Sequence, residues 1–326
     1  MTALLFLGGL VVIAGAAELF TNAVEWAGYL MGLGTGATGS LLAAFGTSLP
    51  ETIVPIVALI GGGNDAQRIA TGAVLGSSFL LLTLGGAITG AAVLARRGAR
   101  ELRVAPPQAR QDLGVFLVAF ALAVGSSLLP RPARIGVGVL LLLIYAGHVT
   151  VTLRSGGNAE KTAPEPLHIV RWRRRPPAAA VAAQLIGAVV LLVVGSQLFV
   201  AAVHQTAQGL GIDPLVLAVI VVPFVTELPE TFNSVLWVRS GDDSLAFGNV
   251  AGSAAFQACV LGFLGVTFTT WKLGTAGLLS AAAAFATGLY LLVLLRDGRA
   301  HGRWIVFAAL PWLAYVAAEL ITGGHL

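Results

Sequence analysis

Apolar segments long enough to cross a bilayer recur from one end of this 326-residue chain to the other. Long apolar stretches such as Ala3–Ala17, Ala133–Leu153, Ala178–Val203 and Leu278–Leu295 mark them, and a helix needs about 20 apolar residues to cross a hydrocarbon core of roughly 30 Å. A water-soluble domain covers its exterior with charge, whereas here 57% of residues are hydrophobic and 10% charged. The chain is therefore expected to be an all-α membrane protein. Its first apolar segment has no basic start and leads into further spans, so it reads as a span rather than a cleaved signal. Cys259 is the single cysteine and lies in an apolar segment, which excludes a disulfide framework and a cysteine metal site.

Basic residues sit in short loops between spans, so a sequence pI near 9.7 reports topology rather than nucleic-acid binding. Ten helices are predicted, at about 3–28, 36–60, 66–94, 112–129, 135–153, 179–208, 213–238, 244–270, 274–295 and 304–322. Loops 95–111, 154–178, 239–243 and 296–303 then share one side and carry fifteen Lys and Arg. The other side carries four: Arg68, Arg131, Arg134 and Lys272. The richer side is expected in the cytoplasm, with both termini outside. Loop 154–178, with its Gly, Pro and basic residues, divides the chain into five-helix units at 1–153 and 179–326. With an odd number of helices in each, similar units must have opposite topology.

The units are similar. Around Glu51 the chain reads A-F-G-T-S-L-P-E-T, and around Glu230 it reads P-F-V-T-E-L-P-E-T, 179 residues later. That offset holds upstream without gaps: Leu19-Phe20 meets Leu198-Phe199, and Gly32 meets Gly211. Downstream, Gly76-Ser77 meets Gly252-Ser253 at an offset of 176. A duplicated, inverted five-helix unit is a transporter architecture, with its site near the midplane where the repeats meet.

Each repeat brings a proline and a glutamate into an apolar helix. Pro50 and Pro229 lack an N–H and free backbone carbonyls, and a broken helix is tolerated at that depth only where it faces protein, water or an ion. A charged side chain at a helix centre costs about 2.5–3.5 kcal/mol on insertion scales. Freed carbonyls, the hydroxyls of Thr47 and Ser48, and the Glu51 carboxylate form a hard oxygen set suited to Na⁺ or Ca²⁺. Thr226, Glu227 and Glu230 supply the matching set. A bare proline kink with one hydrogen-bonded glutamate explains one copy, but two symmetric copies carry the penalty twice.

With G-T-S-L-P-E at 46–51, T-E-L-P-E at 226–230, and Gly-Ser pairs at 76–77 and 252–253, the chain resembles the sodium/calcium exchanger family of the calcium:cation antiporter superfamily. The resemblance covers both halves. It implies ten helices, cation sites between helices two, three, seven and eight, and alternating access by movement of helices one and six. It also implies Glu51 and Glu230 as central ligands, with oxygens from Thr47, Ser48, Thr226, Ser77 and Ser253. The family's G-S-N-x-x-N/D pattern is altered here. Ser78 and Ala254 follow the serines, and Leu81 and Gln257 stand where an amide or carboxylate is expected. Glu227, at the place matched by Ser48, is expected to replace charge lost at 257. Three acidic groups crowded at low dielectric resist being charged together, so such a site exchanges protons as readily as Na⁺.

Glu18 and Glu25, seven apart on one helix face, are read as lining an access path, with Glu25 or His204 relaying protons. The alternative is that their polar tips reach the interface. Asp65, Asp242 and Asp243 are expected to be solvated loop charges, His148 and His301 interfacial, and Glu319 a snorkelling side chain. Gly32–Gly39 and Gly61–Gly63 are not followed by G-K-[ST] and are read as packing and turn residues.

The leading functional reading is secondary active antiport of a cation by alternating access, calcium exchanged for sodium or protons. The alternative is a monovalent Na⁺/H⁺ antiporter of the same fold, favoured by Leu81 and Gln257. An intramembrane enzyme would need a paired nucleophile and base or H-E-x-x-H, and neither occurs. A channel is disfavoured by the inverted repeat. No cofactor and no nucleic-acid partner are expected; the partners are inorganic cations (Ca²⁺, Na⁺ or H⁺) and the lipid bilayer. Seventeen Arg against two Lys, with abundant Ala and Gly, point to the plasma membrane of a prokaryote.

Overall fold

The structure, a computed structural model, describes residues 2–31, 48–98, 100–155, 164–173 and 175–322. Eleven helices are described: α1 Thr2–Leu30, α2 Leu49–Gly61, α3 Asn64–Ala95, α4 Pro106–Leu128, α5 Arg131–Ser155, α6 Ala178–Leu210, α7 Pro214–Thr226, α8 Leu228–Ser240, α9 Asp243–Phe268, α10 Gly274–Leu294 and α11 Gly302–Thr322. Eight of them, among the described residues, are long and apolar enough to cross a membrane; α2 and α7 are shorter apolar helices. The fold is therefore all-helical and multi-pass. Thr47, the start of the segment expected at 36–60, Gly32–Gly39, and part of loop 154–178 lie outside the described residues.

Two features depart from uniform α-helix at matching places. A π-helical turn interrupts α3 at Leu81–Gly85 and α9 at Gln257–Leu261, an offset of 257 less 81, or 176, the same as between the Gly-Ser pairs. π turns inside α-helices occur frequently at functional sites. The segment expected as one helix at 213–238 is two. Glu227, at φ −87° and ψ −3°, separates α7 from α8, because Pro229 in the first turn of α8 has no N–H to donate to the preceding turn and its ring crowds that turn.

Short antiparallel strands, β1 Glu101–Arg103 and β2 Arg299–His301, pair in the loops that follow α3 and α10. They bring two of the basic loops together. Arg96 holds Asp243 at 2.5 Å, joining a third loop to the same end of the bundle. Asp243 is thus not a solvated loop charge: it is buried, and it also accepts from the Arg103 amide at 2.8 Å. At the other end Arg68 grips Asp213, which caps α7 by accepting from the Leu215 amide, while Arg134 donates to the Thr270 carbonyl at 2.6 Å.

Close helix crossings depend on glycine. A Cβ on Gly72 would meet the Leu215 carbonyl oxygen at 2.5 Å, and one on Gly76 the Val219 carbonyl oxygen at 2.5 Å. Small residues four apart on α3 thus admit the α7 backbone. Pro223, four residues after Val219, has no N–H to occupy that carbonyl, and its ring also packs on Gly76. On the opposite flank Gly9 and Gly195 let α1 and α6 approach, a Cβ on Gly9 meeting the Gly195 oxygen at 2.9 Å. One apolar core surrounds Phe79, Phe116, Phe256 and Trp271, and a second lies between α1, α2 and α6 around Phe20, Val54 and Phe199. The end of the long central loop is stitched down: Trp26 Nε1 and Asn22 Nδ2 both donate to the Glu165 carbonyl.

Replacing Gly76 by Leu should lower the melting temperature of the purified protein, an overpacking cost of about 1–3 kcal/mol or more. Gly15→Leu, where an added Cβ meets nothing within 4 Å, should leave it nearly unchanged. Equal melting of the two variants would show that the α3–α7 contact does not need its glycine.

Candidate functional site

Glu51 enters the interior because α2 begins beside it. Leu49 opens the helix, Pro50 occupies its first turn, and Glu51 follows in that turn. Glu230 has the same place in α8, after Leu228 and Pro229. A helix N-terminus carries unpaired N–H groups and partial positive charge, which stabilises a carboxylate held there. Glu227 sits between α7 and α8 at the chain break, so its side chain leaves an already opened helix.

These three side chains meet. One carboxylate oxygen from each of Glu51, Glu227 and Glu230 lies within 4.8 Å of the others, and all three residues are buried. Ser77 faces Glu227 from α3. Carboxylates this close at low dielectric are compatible only when a proton or a cation lies between them. The amide of Gln257, at the start of the π turn in α9, donates to both Glu227 oxygens at 2.9 and 3.0 Å. Among the described residues, both Glu51 oxygens, Ser48 Oγ, Ser253 Oγ and Gln257 Oε1 are buried without a donor. Buried oxygens normally have partners, and a hard cation satisfies several of them at once.

The predicted residues fall into three groups. Glu51, Glu227 and Glu230 are brought together, with Ser77 and Gln257 in contact with Glu227. Ser48, Thr226 and Ser253 are buried on the same short segments or on α9, Thr226 Oγ1 donating to the Val222 carbonyl at 3.3 Å. Glu18, Glu25 and His204 lie apart from the cluster. Glu18 is exposed, 3.5 Å from His168; Glu25 is exposed; and His204 stands 3.3 Å from Asp65. Leu81, in the π turn that matches Gln257, is fully buried and offers no polar atom.

Two buried groups correct their surface assignments. His148 is buried 3.5 Å from Asp112, since α4 and α5 face each other there. Glu319 is buried against Tyr315 one turn earlier, rather than snorkelling.

Sequence reasoning missed Asn249. From α9 its amide donates to the Glu230 carbonyl at 3.0 Å and to Ser234 Oγ at 3.2 Å, while Ser234 donates to the same carbonyl at 2.9 Å. Two donors thus hold the backbone from which Glu230 projects. Pro55 stands at the place matching Ser234, and because it has no N–H the Glu51 carbonyl lacks its usual helical donor. An amide inside the apolar run Phe247–Ala251 was the available signal.

A multi-pass helical bundle that gathers three carboxylates at helix breaks defines a carrier for cations. The chain belongs to the sodium/calcium exchanger protein family, whose pattern matches residues 1–154 and 180–320. It is similar to the inner membrane protein YrbG of Escherichia coli (strain K12), 26% identical over 263 residues, or 80% of this chain and 77% of that one. The putative antiporter CaxA of Alkalimonas amylolytica is 26% identical over 310 residues, 89% of each chain. Among solved structures, the H⁺/Ca²⁺ exchanger CAX superposes with a TM-score of 0.78 at 18% identity, covering 98% of this chain and 82% of that one. The chain is a multi-pass membrane cation antiporter.

Gln257→Leu should strip Glu227 of its amide donor and destabilise the protein by about 1.5–3 kcal/mol, the range for a hydrogen bond to a charged group. Thermal melting checks this. The double change Gln257→Leu with Glu227→Leu should recover part of the loss, because no buried carboxylate is left without that donor.

Proposed function

We propose that this protein exchanges calcium for sodium or protons by alternating access, using Glu51, Glu227 and Glu230 as the carboxylate ligands. The observation that carries this is the meeting of the three buried carboxylates. Ser48, Ser77, Thr226, Ser253, Gln257 and Thr47 complete the oxygen set in this reading, with Pro50 and Pro229 opening the helices around it. The chain is read as two inverted five-helix repeats, 1–153 and 179–326, joined by a basic cytoplasmic loop at 154–178, with both termini outside. The paired π turns and the gathering of the basic loops at one end support that topology. Glu18, Glu25 and His204 are assigned to an access path. No cofactor takes part; the ions themselves are the cargo, and the setting is the inner membrane of a prokaryote.

The Gln257–Glu227 hydrogen bonds support a compensating exchange of charge. Where the family pattern places an amide or carboxylate on the helix carrying Gln257, a neutral amide stands, and the carboxylate comes from Glu227, which that amide touches. Leu81 removes the matching ligand in the other repeat, and calcium takes six to eight oxygens. A site with three carboxylates and one lost ligand also fits monovalent Na⁺/H⁺ exchange, which stands as the second reading.

Flux of calcium, sodium and protons in proteoliposomes tests both. Glu51→Gln and Glu230→Gln should abolish cation uptake, and Glu227→Gln should reduce calcium uptake at least about tenfold, as expected for loss of a direct ligand charge. Calcium uptake unaffected by Glu227→Gln would remove the compensating role. Sodium and proton exchange with no calcium uptake would select the monovalent reading. Protons compete with cations for the same oxygens, so acidifying the loading side should slow uptake.

A further inference from the structure

The end of the bundle that carries the basic loops contains a cavity of about 780 Å³, lined by none of the three clustered carboxylates. Its walls bear Arg96, Arg97, Arg103 and Arg239, against Asp242 and Asp243. Asp243 is occupied by Arg96 and by the Arg103 amide, and Asp242 accepts from Ser240 Oγ at 3.1 Å. Arg97, Arg103 and Arg239 remain exposed around the opening, Arg103 with the exposed Glu101 carboxylate 4.0 Å away. Arginine forks match the oxygens of a phosphate, and a surplus of cations at a membrane face attracts anionic headgroups.

The surroundings distinguish a lipid from a soluble anion. On α8, Phe232 and Leu236 lie two turns and one turn before Ser240 on the same helical face, and they are exposed by 62% and 44%. Leu245, 48% exposed, lines the cavity from α9. An apolar strip thus runs from the arginines along the hydrocarbon-facing surface, where an acyl chain would lie. Gly241, at φ 90°, turns the chain sharply between α8 and α9 and leaves the opening without a side chain at that point.

We propose that this cavity binds the phosphate-bearing headgroup of an anionic phospholipid, held by Arg97, Arg103 and Arg239, with an acyl chain along Phe232 and Leu236. The Arg96–Asp243 pair fixes the wall to which the other arginines are attached.

The full-length protein in detergent is titrated with phosphatidylglycerol, with phosphatidylcholine, and separately with millimolar inorganic phosphate, read by native mass spectrometry and thermal melting. Phosphatidylglycerol should bind and raise the melting temperature, and neither of the others should. Arg97→Ala with Arg239→Ala should weaken that binding about thirtyfold, and Arg97→Lys with Arg239→Lys should retain most of it. Arg131→Ala, at the start of α5 and away from the cavity, should bind as the parent does. Unchanged phosphatidylglycerol binding in the double alanine variant would overturn the site. Equal stabilisation by inorganic phosphate alone would overturn the lipid and make the ligand a soluble anion.

Discussion

Three carboxylates enclosed by apolar helices repel one another and lose hydration, and everything nearby is arranged around that conflict. Each charge removed from water carries a large penalty unless it gains a partner. The protein meets this by placing Glu51 and Glu230 in the first turns of helices, where the positive end of the helix dipole favours a carboxylate, and by setting the Gln257 amide across both oxygens of Glu227. Those local measures are incomplete, since both Glu51 oxygens and nearby hydroxyls have no donor among the described residues. In the function proposed above, a mobile cation or proton supplies what the side chains do not. The instability of the enclosed charges is therefore the source of affinity.

Holding such a cluster requires helices that stop at mid-depth, and short helices need close neighbours. Gly72 and Gly76 let α3 lie against the α7 backbone, including the carbonyl that Pro223 leaves without its helical donor. Asn249 and Ser234 fix the carbonyl of Glu230 from the other side. The broken helices are thus supported by backbone contact and by specific amides, rather than by apolar burial alone.

Much of this was legible in the residues. Runs of about 20 apolar residues announce spans without any tertiary information, and a repeated Leu-Pro-Glu-Thr identified the segments that meet. A break beside Pro229 was expected, but its place at Glu227 was not, because a proline marks a disruption without fixing the residue at which the helix ends. Asp243 and His148 were misread as surface groups because their partners, Arg96 and Asp112, lie 147 and 36 residues away in sequence. Glu319 was misread for a different reason. Its neighbour Tyr315 is one turn away, but which face of α11 turns inward depends on α3. Asn249 looked like one polar residue in an apolar helix until the carbonyl it serves came into view.

The small ladder of β1 and β2 has a mechanical consequence. It clips the turn between α3 and α4 to the turn between α10 and α11, and Gly302 donates to the Arg100 carbonyl beside it at 2.9 Å. Four helices from distant parts of the chain are thereby strapped into one stator. The pair α1 and α6, touching through Gly9 and Gly195, lies outside that strap. In the alternating-access cycle proposed above, sliding falls to the elements that the clip does not hold.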